Sequence, residues 1–284
     1  MTLSHLERSD KDRASYERAG FGDFPLGTDS VPNPNISQGV FRPLVLAQSP
    51  IYPGNDHACQ LYLPAGYSSQ SPAPLMVFLD AAVFLAVEVH AAAVLDNLIH
   101  RQLIPPLIAV FLDHGNHGPG LPLWGGDDNR SVEYDSVDSR FVDFLQQALF
   151  PPLFEQYSIQ PGPHAIAGFS SSGAAAFTAA WQRPDIFDKV LSFVGSFTNI
   201  RGAHDYPSLV RRAERKPIRV FLQSGSNDLD IVFGDWAIAN KDMASALAYR
   251  DYDYRFEFGN GGHSMKHGAA ILPDALRWLW REKN

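Results

Sequence analysis

Leu75-Met76-Val77-Phe78-Leu79 and Leu107-Ile108-Ala109-Val110-Phe111-Leu112 are uninterrupted apolar runs, without the alternation of a strand that has one wet face. A strand apolar on both sides must be covered on both sides, so the chain is committed to a sheet held between layers of helices. Residues 83–101 lie between the two runs and carry helix formers, with more apolar positions than one helical face needs. Strand, helix, strand reads as a right-handed crossover between parallel neighbours.

The pattern continues. Val137, Phe141, Phe144, Leu145, Ala148 and Leu149 share one face of a helix expected over 136–150, which Pro151-Pro152 should end. Strands are expected at 164–168, 189–194, 218–223 and 252–258, and helices at 171–182 and 236–249. Pro273 should open or reset a final helix. Upstream, 39–47 and 57–63 flank the turn Pro53-Gly54-Asn55-Asp56 and read as an antiparallel pair. The class is α/β: a mostly parallel central sheet, helices on both faces, and an antiparallel N-terminal strand pair. Residues 39–284 form one domain. Residues 1–38, interrupted by Pro25, Pro32 and Pro34, are expected to pack on it as an arm rather than close over a pocket as a lid.

Composition narrows the class of partner. A formal charge of −8 disfavours nucleic acid or an anionic membrane surface, because phosphates would be repelled. Cys59 is the single cysteine, so no internal disulfide or thiolate cluster can form. Residues 1–20 carry no apolar leader, and the longest apolar candidate, 81–95, is broken by Glu88 and His90. The expectation is a cytoplasmic protein with no membrane span.

Chemistry concentrates at His164-Ala165-Ile166-Ala167-Gly168-Phe169-Ser170-Ser171-Ser172-Gly173, a short strand running through small residues into an Ala-rich helix. A strand-to-helix turn of this kind lifts a serine oxygen above the sheet, beside the free N–H groups of a helix start. The pattern G-x-S-x-G is met with Ser170 as nucleophile, except that Ser172 occupies its last position. A register shifted by one would make Ser171 the nucleophile, but Phe169 would then crowd the position that calls for a small residue. A plain serine-rich helix cap is the bland alternative.

Two later segments favour chemistry. The strand around Val220-Phe221-Leu222-Gln223 leads to Asp228, with Asp230 as a rival acid; Phe256-Glu257-Phe258 leads to the glycine-flanked His263. The order Ser, Asp, His is that of the α/β-hydrolases. His263 would take the serine proton, and Asp228 would hold the imidazole in the right tautomer. Oxyanion donors are expected from the backbone of Ser171 and of Ala81 or Ala82, after the strand Leu75–Leu79.

These residues belong to a wider resemblance. Over roughly residues 39–281 the chain resembles the esterases of the enterochelin (ferric-enterobactin) esterase and esterase D group. The shared blocks are Leu75-Met76-Val77-Phe78-Leu79-Asp80, Leu95-Asp96-Asn97-Leu98-Ile99 with Ile104-Pro105-Pro106, and Asn129-Arg130-Ser131-Val132-Glu133-Tyr134. The elbow, Arg183-Pro184-Asp185 with Ser192-Phe193-Val194-Gly195-Ser196-Phe197, and Gly261-Gly262-His263 complete the set. The resemblance implies Ser170, Asp228 and His263 as a triad, and hydrolysis of a small-molecule carboxylic ester without metal or organic cofactor. It spans siderophore, acyl-sugar and feruloyl esters and some acyl transferases, so the ester is left open. The family places Gly where Ala81 and Ser172 stand, beside the oxyanion hole.

Trp124, Phe197 and Trp236 fall in loops on the triad side and are candidates for shaping an acyl pocket. Arg130 is a candidate for a substrate carboxylate, against the plainer expectation of a salt bridge to Glu133 or Asp128. His263 with His267, and His114 with His117, have spacings that zinc can use, but a third ligand is lacking, so no metal site is expected. A catalytically silent binding protein on the same fold is the competing reading; the complete Ser–Asp–His set argues against it.

Overall fold

All five residues of Leu75–Leu79 and all five of Ile108–Leu112 are buried, as continuous apolar runs require. They are the centre of the sheet in this computed structural model, which describes residues 10–116 and 129–282. The strands are β1 (Val40–Pro43), β2 (Cys59–Leu63), β3 (Leu75–Leu79), β4 (Ile108–Leu112), β5 (His164–Phe169), β6 (Phe187–Phe193), β7 (Arg219–Asn227), β8 (Asp230–Ile231), β9 (Gly234–Asp235) and β10 (Asp253–Gly262). Eight of them form one sheet in the order β1-β2-β4-β3-β5-β6-β7-β10, and β8 pairs with β9 alone. Within the large sheet, among the described residues, β1 with β2 and β2 with β4 are antiparallel and the other neighbours run parallel; β8 and β9 are antiparallel. Parallel neighbours bring the carboxyl ends of β3, β5, β7 and β10 to one edge, where functional loops of open α/β sheets gather.

The helices are α1 (Asp10–Glu17), α2 (Ala81–Leu85), α3 (Ala91–His100), α4 (Arg130–Tyr134), α5 (Arg140–Phe144), α6 (Phe150–Gln156), α7 (Ser171–Gln182), α8 (Tyr206–Arg212), α9 (Trp236–Tyr249) and α10 (Met265–Trp280). Two apolar clusters lie on opposite faces of the sheet: one includes Phe177, Leu145 and Leu247, the other Phe84, Leu95 and Leu276. Among the described residues, no helix is long and apolar enough to cross a membrane.

Three helices depart from expectation. The helix expected over 83–101 is broken between α2 and α3, where Ala86 is extended and His90 has φ 53°. The break lets Phe84 and the Val94, Leu95 and Leu98 set bury against one sheet face, which absorbs the apolar excess. Pro151-Pro152 does not end the helix that precedes it. A π-turn, Leu145–Leu149, widens the coil, Phe150 N–H donates to the Leu145 carbonyl, and α6 continues through the prolines. The Ala148 carbonyl, which Pro152 cannot serve, instead accepts from Ala47 N–H at 2.9 Å. Pro273 lies inside α10, where burial of Leu272, Ala275, Leu276 and Leu279 outweighs its missing donor.

Residues 10–38 run along the domain. Asn97 Nδ2 donates to the carbonyls of Asp29 and Val31 at 3.0 and 2.9 Å, and Arg101 and Arg277 pair with the Asp29 carboxylate.

Candidate active site

The chain turns from β5 into α7 at Ser170, which takes φ 60° and ψ −121°, a strained conformation for a residue with a Cβ. The strain is held by Ser170 N–H donating to the Phe193 carbonyl at 2.9 Å and by Ser196 N–H donating to the Ser170 carbonyl at 3.0 Å. Two glycines make the turn possible. A Cβ on Gly168 would lie 2.0 Å from the Ser172 carbonyl oxygen, and one on Gly173 would lie 2.7 Å from Ser192 Oγ. The positions that tolerate no side chain are therefore 168 and 173. Position 172 has room, because its side chain points into a polar contact instead of the strand.

Ser170 Oγ lies 2.8 Å from His263 Nε2, and His263 Nδ1 lies 2.6 Å from Asp228 Oδ1. A carboxylate can only accept, so the ring proton sits on Nδ1 and Nε2 is left to accept from the serine. The Asp228 side chain is fully buried and His263's is 12% exposed. Asp228 is held in turn by Leu229 N–H on Oδ1 at 2.9 Å and Ser224 Oγ on Oδ2 at 2.7 Å. Asp230 is exposed and its backbone has moved into β8, so it does not reach the imidazole. Ser171 is buried on the first turn of α7; it is Ser170 that meets His263.

Ser172 is fully buried. Its Oγ accepts from Phe169 N–H at 2.7 Å and lies 2.7 Å from Asp80 Oδ2 and 2.8 Å from the Phe169 carbonyl. Asp80, with φ 60°, ends β3 and is gripped through both oxygens by Arg130, Nε to Oδ1 at 3.1 Å and a second nitrogen to Oδ2 at 2.6 Å. Arg130 thus pairs with Asp80, and Glu133 is engaged elsewhere; Asp128, the other acid expected for it, lies outside the described residues. Glu133 faces the other way and receives His57 Nε2 at 3.0 Å, Gly115 N–H at 3.1 Å and Asn129 Nδ2 at 3.2 Å. Arg130 consequently has its fork committed before any substrate arrives. In the same β3 loop, Ala82 N–H donates to Asp113 Oδ1 at 3.2 Å. Burial lifts the Asp113 carboxyl above its ordinary range, against the pull of the Ala82 and Ala81 N–H groups. The Ala81 and Ala82 N–H groups, one of which was expected to serve an oxyanion beside that of Ser171, therefore face a carboxylate here.

The aromatic candidates take other parts. Phe197 is 1% exposed and packs edge-on against Phe177 and Tyr206, so it seals the core and does not line a pocket. Trp236, also 1% exposed, stands edge-on to His263 with centroids 5.7 Å apart. Its Nε1–H donates to Ser196 Oγ at 3.1 Å, and Ser196 Oγ is 3.2 Å from Ser170 Oγ. It is thus buried behind the Ser170–His263 pair. Trp124 and His117, with Asp127 and Asp128, lie outside the described residues. His267 turns away from His263 to meet Gln223 Nε2 at 3.1 Å and to stack on Phe24. Among the described residues, no group of three or more His, Cys, Asp or Glu side chains could hold a metal ion. Sequence reasoning did not single out Asp80, Ser196 or Ser224 as site residues; a carboxylate ending a buried apolar run was the one visible signal, at Asp80.

Comparison with known proteins gives the family and the fold. A family model described as "Putative esterase" matches residues 52–279. The iron(III) enterobactin esterase of Dickeya dadantii (strain 3937) is 25% identical over 243 residues, which are 79% of this chain and 52% of that protein. The chain thus spans about half the length of that curated relative. The enterobactin esterase of Shigella flexneri, solved in the presence of enterobactin, superposes with a TM-score of 0.69 at 20% identity, covering 90% of this chain and 63% of the other. The ferulic acid esterase of Anaeromyces mucronatus superposes with a TM-score of 0.71 at 17% identity, covering 90% and 98%. These structural likenesses show the α/β-hydrolase fold. Since the family match takes in most of the chain, from β2 to α10, this protein belongs to the Esterase family.

Proposed function

We propose that the chain is a serine esterase that cleaves a small carboxylic ester through an acyl-enzyme. The observation that carries this reading is the unbroken relay from Ser170 Oγ through the His263 ring to Asp228, with links of 2.8 and 2.6 Å. In this reading Ser170 Oγ attacks the ester carbonyl carbon while its proton passes to His263 Nε2. Asp228 stabilises the resulting imidazolium. The tetrahedral intermediate collapses as the alkoxide leaves with that proton, and the acyl group remains on Ser170. Water then attacks the acyl carbon, giving its proton to His263, which returns it to Ser170 as the acid departs. Ser171 N–H and the Ala81–Ala82 backbone are the proposed oxyanion donors, and an incoming oxygen would displace Asp113 from Ala82.

The relatives name two kinds of ester, enterobactin and those of ferulic acid. One relative was also solved with 2,3-di-hydroxy-N-benzoyl-serine, and ferulic acid is a hydroxylated aromatic acid, so the substrate class proposed is a carboxylic ester whose molecule carries a hydroxylated aromatic group. A cytoplasmic setting is proposed as well, supported by the single cysteine, Cys59, which can form no internal disulfide. The test is labelling with a fluorophosphonate, with the modified residue mapped by mass spectrometry. Ser170→Ala should abolish labelling and turnover of p-nitrophenyl acetate, while Ser171→Ala keeps much of both. Label found on Ser171 would refute the assignment.

A further inference from the structure

We infer that the segment 10–24 is a positioning element of the site, joining the loop that carries Asp228 to the loop that carries His263. The inference rests on the triad roles proposed above. Its starting point is that the sheet alone does not hold the two loops in register. β7 and β10 pair regularly up to Gly225 and Gly259, but the register shifts between Gly259 and Gly262, directly before His263. Past Asp228, the chain leaves the large sheet for the two-residue strand β8. The last residues before the base and the first after the acid thus lack a regular ladder.

The segment supplies what the ladder does not. On the acid side, the fully buried Ser15 Oγ accepts from Asp230 N–H at 2.7 Å, two residues past Asp228. Tyr16 packs on the cluster of Leu229, Ile231 and Trp236, and Trp236 is the residue standing edge-on to His263. On the base side, the Phe21 carbonyl accepts from Gly262 N–H at 3.2 Å, one residue before His263. The approach is close enough that a Cβ on Gly262 would lie 2.2 Å from the Arg18 carbonyl oxygen and 2.6 Å from that of Ala19. Beyond His263, Lys266 Nζ donates to the Gly20 carbonyl at 2.7 Å, and Phe24 stacks on His267 with centroids 4.4 Å apart. One continuous stretch of chain therefore touches the acid loop, the base loop and the start of α10. None of these contacts reaches Ser170, so the segment acts through the Asp228–His263 pair.

The test uses the full chain. Ser15→Arg cannot be seated at a fully buried position and should release the segment, read as faster tryptic cleavage after Arg18. Expected is a fall in kcat of about tenfold to a hundredfold, the scale set by small misplacements of catalytic groups, with KM within about twofold and circular dichroism unchanged. The far-downfield proton NMR signal of the 2.6 Å His263–Asp228 bond should weaken in parallel. A released segment with unchanged kcat overturns the inference. Should Ser15→Arg fail to fold or to release the segment, Ser15→Ala and Gly262→Ala decide: a fall in kcat at constant KM supports it, and kcat within twofold in both overturns it. Ser170→Ala separates the two levels, because residual turnover in that variant would refute the triad reading itself.

Discussion

Ser172→Ala removes one hydroxyl from the interior of the elbow and leaves the Cβ in place. The hydroxyl is fully buried and has two distinct duties: accepting from Phe169 N–H at 2.7 Å and bonding Asp80 Oδ2 at 2.7 Å. Stranding a buried N–H costs about 1–3 kcal/mol, and losing a hydrogen bond to a charged group costs about 1.5–3 kcal/mol. The two do not simply add, because Asp80 keeps both contacts from Arg130. A net loss of about 2–4 kcal/mol is expected, and at about 2 °C per kcal/mol for a chain of this size that is a fall in Tm of about 4–8 °C. Ser172→Gly should lose up to about 1 kcal/mol more from backbone freedom. Asp80 begins the loop that carries Ala81 and Ala82, so kcat/KM should also drop by about tenfold, or roughly 1.4 kcal/mol. Calorimetry and p-nitrophenyl acetate kinetics on the same preparation give both numbers. A Tm within 1 °C of the parent, with unchanged kinetics, would show that the hydroxyl network does not hold the elbow to β3.

Other outcomes follow from the same geometry. Asp228→Asn should lower kcat by about 10⁴, the scale seen when a triad acid is replaced by its amide, while Asp230→Asn, on an exposed side chain, should stay within twofold; the two kcat values settle which carboxylate serves. His164 is lowered from 6.5 to about 4 by burial and by Lys189. Below pH 6.5 the unfolded chain takes up a proton that the folded one refuses, so stability should fall as pH drops from 6.5 toward 4, by about 3 kcal/mol from this group. Urea titrations across that range should show a flatter pH dependence for His164→Gln, and an unchanged slope would remove His164 as the cause. Exhaustive dialysis against a chelator should leave esterase turnover unaltered; loss of activity restored by zinc alone would contradict the cofactor-free mechanism.

Periodicity and residue size are local properties, and what depends on them was readable without coordinates. The apolar runs of β3 and β4 announced strands covered on both faces, and small residues on either side of Ser170 announced a tight strand-to-helix turn. The order of serine, acid and histidine placed the three side chains on loops at one edge of a parallel sheet. Partner choice is not local. Asp80 lies fifty residues from Arg130 and ninety-two from Ser172 along the chain, and the three meet because β3 is hydrogen-bonded to β5. The same sheet order turned Phe197 and Trp236 inward, since an aromatic after a strand packs against whichever helix or loop covers that strand. Helix boundaries at Pro151-Pro152 and Pro273 went the other way from local propensity, because tertiary contacts took over a freed carbonyl in one case and buried an apolar face in the other. Local chemistry thus named the candidate groups, and long-range packing decided what holds each of them in place.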